Sequence, residues 1–420
     1  MRVGCGTAAL AVPEGTPMGG YIDRPGPAAG VLDGLRVSAI TWYDGRRRFA
    51  LAVADVICVN DDLAEWARQA LAPLCELWLT ATHTHAGPET GCVPGGAATP
   101  PPWGELIVEA VRNAVERAIA AETPATTGTV HRGMLRGVGA DRSRPSAEPV
   151  VPLDLLAVHD AHGHLTGVLA VLPVHPTVLP PANVKVSADL TGAVREALSE
   201  RLGPGVWVVV ATGAAGDIST RHTRQGQDAA ELARLGALVA TRCTTLLSEE
   251  TPAALAWSDG SRVGWTEATV ALDRMRAVGD PEALAGALRV EYERARAAGD
   301  AVAAGMARSR LDGARLLTGQ DAQGGPISAR VAVVRLGELA LAALPGEPFL
   351  AVGEAVRTAR RGPTVVLGYA NGYPGYLPTA DAYDRTEYEV LATQVARGGA
   401  EKLAATARHL LHTLDTEENS

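Results

Sequence analysis

The sequence has no run of about 18 uncharged apolar residues, so no transmembrane helix is expected. Its first residues, MRVGCGTAALAVPEGTP, hold a single Arg and an apolar run broken by Pro13. The h-region of a signal peptide is therefore missing as well. No CxxC pair occurs, and the five cysteines (Cys5, Cys58, Cys75, Cys92 and Cys243) are odd in number and widely spaced. That pattern argues against a disulfide framework and for a reducing compartment. A soluble, cytoplasmic protein without a stable membrane anchor is the expectation. Positive charge is also short: 38 Lys and Arg face 47 Asp and Glu, a net charge of -9. The charges are scattered and form no basic stripe. This argues against a nucleic-acid partner, because binding phosphates needs a basic face. Two catalytic signatures are missing too: the GxSxG of a nucleophile elbow and the GKS or GKT of a P-loop.

What is there is ordinary globular material, 47% hydrophobic and 20% charged, with ample apolar residues for a core. The stretch LRVSAITWYDGRRRFALAVADVICV reads as two strands around an Asp44-Gly45 turn. NDDLAEWARQALAPL reads as a helix capped by Asn60 or Asp61, and ELWLTATH as the next strand. Residues 91–103, rich in Gly and Pro, form a loop hanging off that strand. GVLAVLPVHPTVL is a strand ending in His175, and SADLTGAVREALSERL is a helix with a Ser start. GVWVVVATGAAGDIST is a buried strand opening into a Gly-rich turn, and residues 279–319 should be largely helical. Strands alternating with helices predict an α/β fold of the mixed α+β kind. No repeat and no strong boundary divides the chain. One domain over 1–413 is expected, with a frayed polar tail at 414–420.

Several residues could carry chemistry. His83 and His85 stand at i, i+2 in ATHTHAGPE, a spacing that puts both side chains on one face of a strand. Either they are satisfied polar residues at a strand end or they reach a metal. His175 in LPVHPTVL repeats the arrangement, with Pro176 biasing it to extended geometry. Glu347 sits in LAALPGEPF, straight after an apolar run. Five of the eight tyrosines (Tyr369, Tyr373, Tyr376, Tyr383 and Tyr388) crowd into twenty residues around Gly/Pro turns. A strand followed by a small-residue turn could present Ser219, just beyond that turn, as a nucleophile or as a hydrogen-bond donor.

Taken in order, ATHTHAGPE, VHPTV, GAAGDIS, LPGEPF and NGYPGYLPT with its downstream YE resemble one family, the neutral/alkaline non-lysosomal ceramidases, in their N-terminal catalytic domain. The resemblance spans about residues 1–395. It implies mixed β-sheets flanked by helices, with the active site at strand ends and loops, and an amidohydrolase using one zinc per chain. It implies His83, His175, Glu347 and Tyr376 as zinc ligands, and His85 and Tyr388 facing the substrate amide and its oxyanion. Arg142, in GADRSRP, would lie near the pocket, and Ser219 in the active site. Such a zinc lowers the pKa of bound water to about 7. The chain departs from the family in having no C-terminal immunoglobulin-like domain. Asp141 replaces the usual Asn, and Thr220-Arg221 the common Pro-Asn. With only two phenylalanines, Phe49 and Phe349, and no membrane-inserting apolar helix, the expected substrate is a soluble N-acyl small molecule. Opening of an ester or lactone, acyl transfer or cyclisation, and a non-catalytic metal or ligand binder are the other readings. No pattern fixes an oligomeric state.

Overall fold

The computed structural model describes residues 1–93, 98–144, 146–249, 255–257, 260–276, 280–318 and 324–416. Part of the expected 91–103 loop, the two end residues of the expected 279–319 helical stretch, and the last four residues of the expected tail lie outside these. The first sheet begins as an antiparallel meander of β1 (Arg2–Leu10), β2 (Leu35–Tyr43) and β3 (Arg48–Ala54). The β2–β3 turn is the expected Asp44-Gly45 corner, where Asp44 Oδ1 accepts from the backbone N–H groups of Arg46 and Arg47 at 2.8 and 2.7 Å. Helix α1 (Asp61–Leu71) then crosses over, and β4 (Glu76–Ala81) adds parallel to β3. Helix α2 (Trp103–Ala120) covers the outer face. Gly4 and Gly6 permit its approach, because a Cβ there would fall 2.0 Å from Ala118 O and 2.4 Å from Ala114 O.

The second sheet repeats the plan. Strands β5 (Thr127–Arg136), β6 (Val150–His159) and β7 (Leu165–Leu172) run antiparallel. Helix α3 (Asp189–Leu202) leads to β8 (Trp207–Thr212), parallel to β7, and α4 (Ala229–Ser248) lies along α3. In the third sheet β9 (Val263–Leu272) is followed by a helical hairpin, α5 (Pro281–Ala297) and α6 (Ala301–Thr318). Asp280 caps α5 from in front of Pro281, a standard helix start. Then come β10 (Ile327–Leu336), β11 (Leu339–Ala343), α7 (Leu350–Arg357) and β12 (Thr364–Leu367), with β12 parallel to β11. A short α8 (Tyr388–Ala392) and the long α9 (Gly399–Thr416) finish the fold.

This is the expected mixed α+β architecture of sheets flanked by helices, without an immunoglobulin-like sandwich among the described residues. Inner-face residues of all three sheets meet in one core that includes Trp42, Phe49, Trp78, Leu169, Val209, Val334 and Leu341. Phe49 stacks on Trp42 at 5.8 Å and meets Trp78 edge-on at 4.9 Å. Burying each such ring contributes about 4–6 kcal/mol of transfer free energy before entropy is subtracted. Helix α9 runs past the expected tail boundary at 414 because Leu410, Leu411 and Leu414 are buried against the third sheet. Among the described residues no helix is long and apolar enough to cross a membrane. Each sheet holds one parallel pair: β3/β4, β7/β8 and β11/β12. The loops leaving the carboxyl ends of these strands carry the candidate residues His83, His175 and Glu347, the usual place for a site among crossover-connected strands.

Candidate active site

His83 lies two residues beyond β4, and His175 three residues beyond β7. Neither is inside a strand, so the shared-face reading of His83 and His85 is corrected: β4 ends at Ala81, and His83 has a left-handed φ of 66°. A non-glycine residue there is strained, and such strain concentrates at functional sites. His83 is held by its N–H on Val56 O at 3.0 Å. Its Nδ1 bonds Ile57 O at 2.6 Å, and His175 Nδ1 bonds Ala215 O at 2.6 Å. A carbonyl oxygen only accepts, so each Nδ1 carries a hydrogen, and in the neutral imidazole Nε2 then presents a lone pair. Both lone pairs face one oxygen: Glu347 Oε2 is 3.2 Å from His83 Nε2 and 2.9 Å from His175 Nε2. The three side chains are almost wholly buried.

With both imidazoles neutral, acceptors face acceptors at those distances, an arrangement that a cation between them would satisfy. Two imidazole nitrogens and a carboxylate oxygen are a donor set that zinc takes, and ligand atoms around a tetrahedral zinc sit about 3.3 Å apart. The backbone carbonyls behind each Nδ1 are the outer partners that usually orient such imidazoles. Glu347 is fixed on its other side, where Oε1 accepts the Tyr373 hydroxyl at 2.6 Å. Burial, and then the Arg142 cation, push the His175 pKa down to about 4, so this imidazole is neutral at pH 7. The residues present therefore fit a metal ion.

His85 joins the cluster from the solvent side. Its Nε2 is 3.3 Å from His83 Nε2, and His83, His85 and His175 together form a group that could hold a metal. It differs from the other two in being half-buried and in having, among the described residues, no hydrogen-bond partner at Nδ1. Burial and its two imidazole neighbours hold its pKa well below the usual histidine value. Gly20 makes room for its ring, since a Cβ there would lie 2.5 Å from His85 Nδ1.

Tyr376 stacks near-parallel on His175 at 6.4 Å, with the Arg142 guanidinium 5.3 Å above its ring. Tyr388, at the start of α8, meets Tyr376 edge-on at 5.7 Å. Arg142 is buried, ion-paired to Glu389 and bonded to Gly216 O at 2.8 Å. Ser219 pairs with His175 in an isolated bridge. Its Oγ accepts from Arg221 N at 3.3 Å, and among the described residues no imidazole or carboxylate bonds it. His85, Arg142, Ser219, Tyr376 and Tyr388 all line one cavity of about 340 Å³. Two tyrosines at the cluster had no assigned role in the sequence reading. Tyr373 holds Glu347, and Tyr369 lies 4.3 Å from the His83 ring, its hydroxyl without a partner among the described residues. The crowding of tyrosines after β12 was the available signal.

Neither a family model nor a curated protein sequence matches the chain. Solved structures do. A ceramidase complexed with C2 superposes with a TM-score of 0.76 over 99% of this chain and 75% of its own, at 17% identity. The chain has the fold of the neutral ceramidases. A crystal structure of neutral ceramidase from Pseudomonas aeruginosa matches with a TM-score of 0.75 over 99% of this chain and 74% of its own, at 19% identity. The neutral ceramidase fold thus accounts for nearly the whole chain, and the histidine cluster sits at the loop ends of that fold.

Proposed function

We propose that the protein is a zinc-dependent hydrolase of N-acyl amides of soluble small molecules. The observation that carries this reading is the convergence of His83 Nε2 and His175 Nε2 on Glu347 Oε2 beside a polar cavity, within a neutral ceramidase fold. His83, His175 and Glu347 would hold the metal, and Tyr376, beside His175, would be the fourth ligand. Zinc bound there would lower the pKa of its water to about 7 and would polarise an acyl oxygen.

The chain's own residues do the rest. Tyr373 fixes the rotamer of Glu347 by its hydroxyl bond. The Ile57 and Ala215 carbonyls fix the tautomers of the two ligand imidazoles. His85 lacks such a carbonyl and lines the cavity, which favours a role on substrate over one on metal. As a neutral imidazole it donates to the amide carbonyl oxygen, where negative charge grows during attack, and Tyr388 adds a second donor. Arg142 packs over both tyrosine rings and orients them. Ser219 Oγ has no base to take its proton, which favours a hydrogen-bonding role over a nucleophilic one.

The test is metal analysis of the purified protein beside a panel of N-acyl amides. About one zinc per chain and release of free amine are expected. A protein that holds no zinc and cleaves none of the panel would overturn the reading.

A further inference from the structure

The lining of the cavity beside His85 has an excess of positive charge, four arginines against the three carboxylates of Asp23, Asp312 and Glu389. Four guanidinium groups line it: Arg142, Arg221, Arg224 and Arg308. Arg142 is paired with Glu389, and Arg308 with Asp23 and Asp312. Among the described residues, Arg221 and Arg224 have no carboxylate within ion-pair distance. Arg221 reaches only neutral oxygens, Arg142 O at 3.4 Å and Ser309 Oγ at 3.0 Å, and Arg224 donates to Thr177 O at 2.8 Å. A guanidinium has five N–H donors, so each keeps donors uncommitted. Both side chains are half-buried, where an unmatched charge is poorly compensated by water. Burial, and then repulsion from Arg142, lower the Arg221 pKa to about 10, which still leaves it charged at neutral pH. Arg221 follows Ser219 by two residues, so this charge lies close to the histidine cluster.

We infer that Arg221 and Arg224 form an anion-binding subsite, and that the amide cleaved beside His85 carries a carboxylate or phosphate group which this pair neutralises. The planar fork of a guanidinium matches either oxyanion, and desolvation by the cavity wall strengthens the pairing. A cavity of about 340 Å³ with four arginines in its wall suits a compact anionic amide better than one with two long alkyl chains. The inference rests on the hydrolase reading for the amide, and on the cavity alone for the anion.

The test is calorimetric binding of uncleavable sulfonamide isosteres to the metal-loaded protein. Hexylsulfonylglycine carries its carboxylate on the amine side, and 3-(hexylsulfamoyl)propanoate on the acyl side. O-phospho-N-hexylsulfonylethanolamine carries a phosphate, and hexylsulfonylglycinamide is neutral. At least one anionic probe should bind about tenfold or more tightly than the neutral one. The variant R221A/R224A should lose that preference while binding of the neutral probe changes less than about twofold. Equal binding of all four probes to the wild type would overturn the subsite, as would an equal loss for all four in the variant. The wild-type comparison needs no substitution, so a variant that fails to fold leaves the test standing. Preference for an anion without cleavage of the corresponding amide would sink the hydrolase reading and keep the subsite. Cleavage without preference would do the reverse.

Discussion

The hydroxyl of Tyr373 donates a 2.6 Å hydrogen bond to Glu347 Oε1, while the other oxygen of that carboxylate faces both His83 and His175. One carboxylate thus has its two oxygens assigned to different jobs, one to anchoring and one to the cluster. Removing the anchor should loosen the ligand without deleting it. Tyr373→Phe is expected to weaken zinc affinity by about 10–100-fold, measured by competition with a chelator. Unchanged affinity would show that Glu347 is held by other means.

The division of labour between the neighbouring histidines is open to a paired experiment. His83→Ala, His175→Ala and Glu347→Ala should each lose most of the zinc. His85→Ala should keep it and lose turnover by about 100-fold or more. If His85→Ala strips the metal as thoroughly as His83→Ala, the three-imidazole grouping is the ligand set and His85 belongs to it.

Ser219 offers a different contrast. With no imidazole or carboxylate bonded to its Oγ, the Ser219→Ala enzyme should be slowed by about 10–100-fold without being silenced. Intact-mass spectrometry during turnover should find no acyl adduct, and the first product should show no burst. An acyl group trapped on Ser219 would replace the metal-activated water with a covalent route.

Stability should depend on pH through Asp189, at the start of α3. Its carboxylate accepts the backbone N–H groups of Val178, Leu179 and Leu190, at 3.0, 3.0 and 2.7 Å. Burial nonetheless outweighs those bonds and raises its pKa to about 6. The folded state therefore holds this proton more tightly than the unfolded chain, whose Asp titrates near about 4. The resulting stability is present below about pH 4 and lost as pH rises through about 6, a change of about 3 kcal/mol at most. Asp189→Asn cannot ionise. The difference between wild type and variant in urea unfolding should shift across that window, and a constant difference from pH 4 to 7 would refute the account.

The sequence made parts of this legible and hid others for physical reasons. The hairpin at Asp44-Gly45 and the helix behind Asp280 are set by local chemistry, turn geometry and capping, so they can be read from a few residues. Asn60 stands at the expected N-cap of α1, but its amide donates to Thr90 O at 2.8 Å and ties down the loop after the histidines. A cap preference cannot reveal that long-range use. His83, His175 and Glu347 could be singled out because each follows an apolar run into a turn. Their convergence depends on how three sheets dock, which no local pattern encodes. The left-handed turn at His83 is likewise invisible, because neighbours such as Val56 impose it. Arg221 was visible only as a departure from a family pattern, and its lack of a counter-ion needed the cavity around it.

His83, His175 and Glu347 come one from each of the three sheets, separated by 91 and 171 intervening residues and joined only where the loops after β4, β7 and β11 meet. No subset of the chain short of all three sheets can assemble the trio. Ion uptake would therefore mark the moment when the last sheet locks onto the others, and a chain cut anywhere before Glu347 would forfeit it however well its remaining strands pair. An ion held there would also act as a keystone: binding free energy gained only by the fully docked form would be added to the cohesion between sheets.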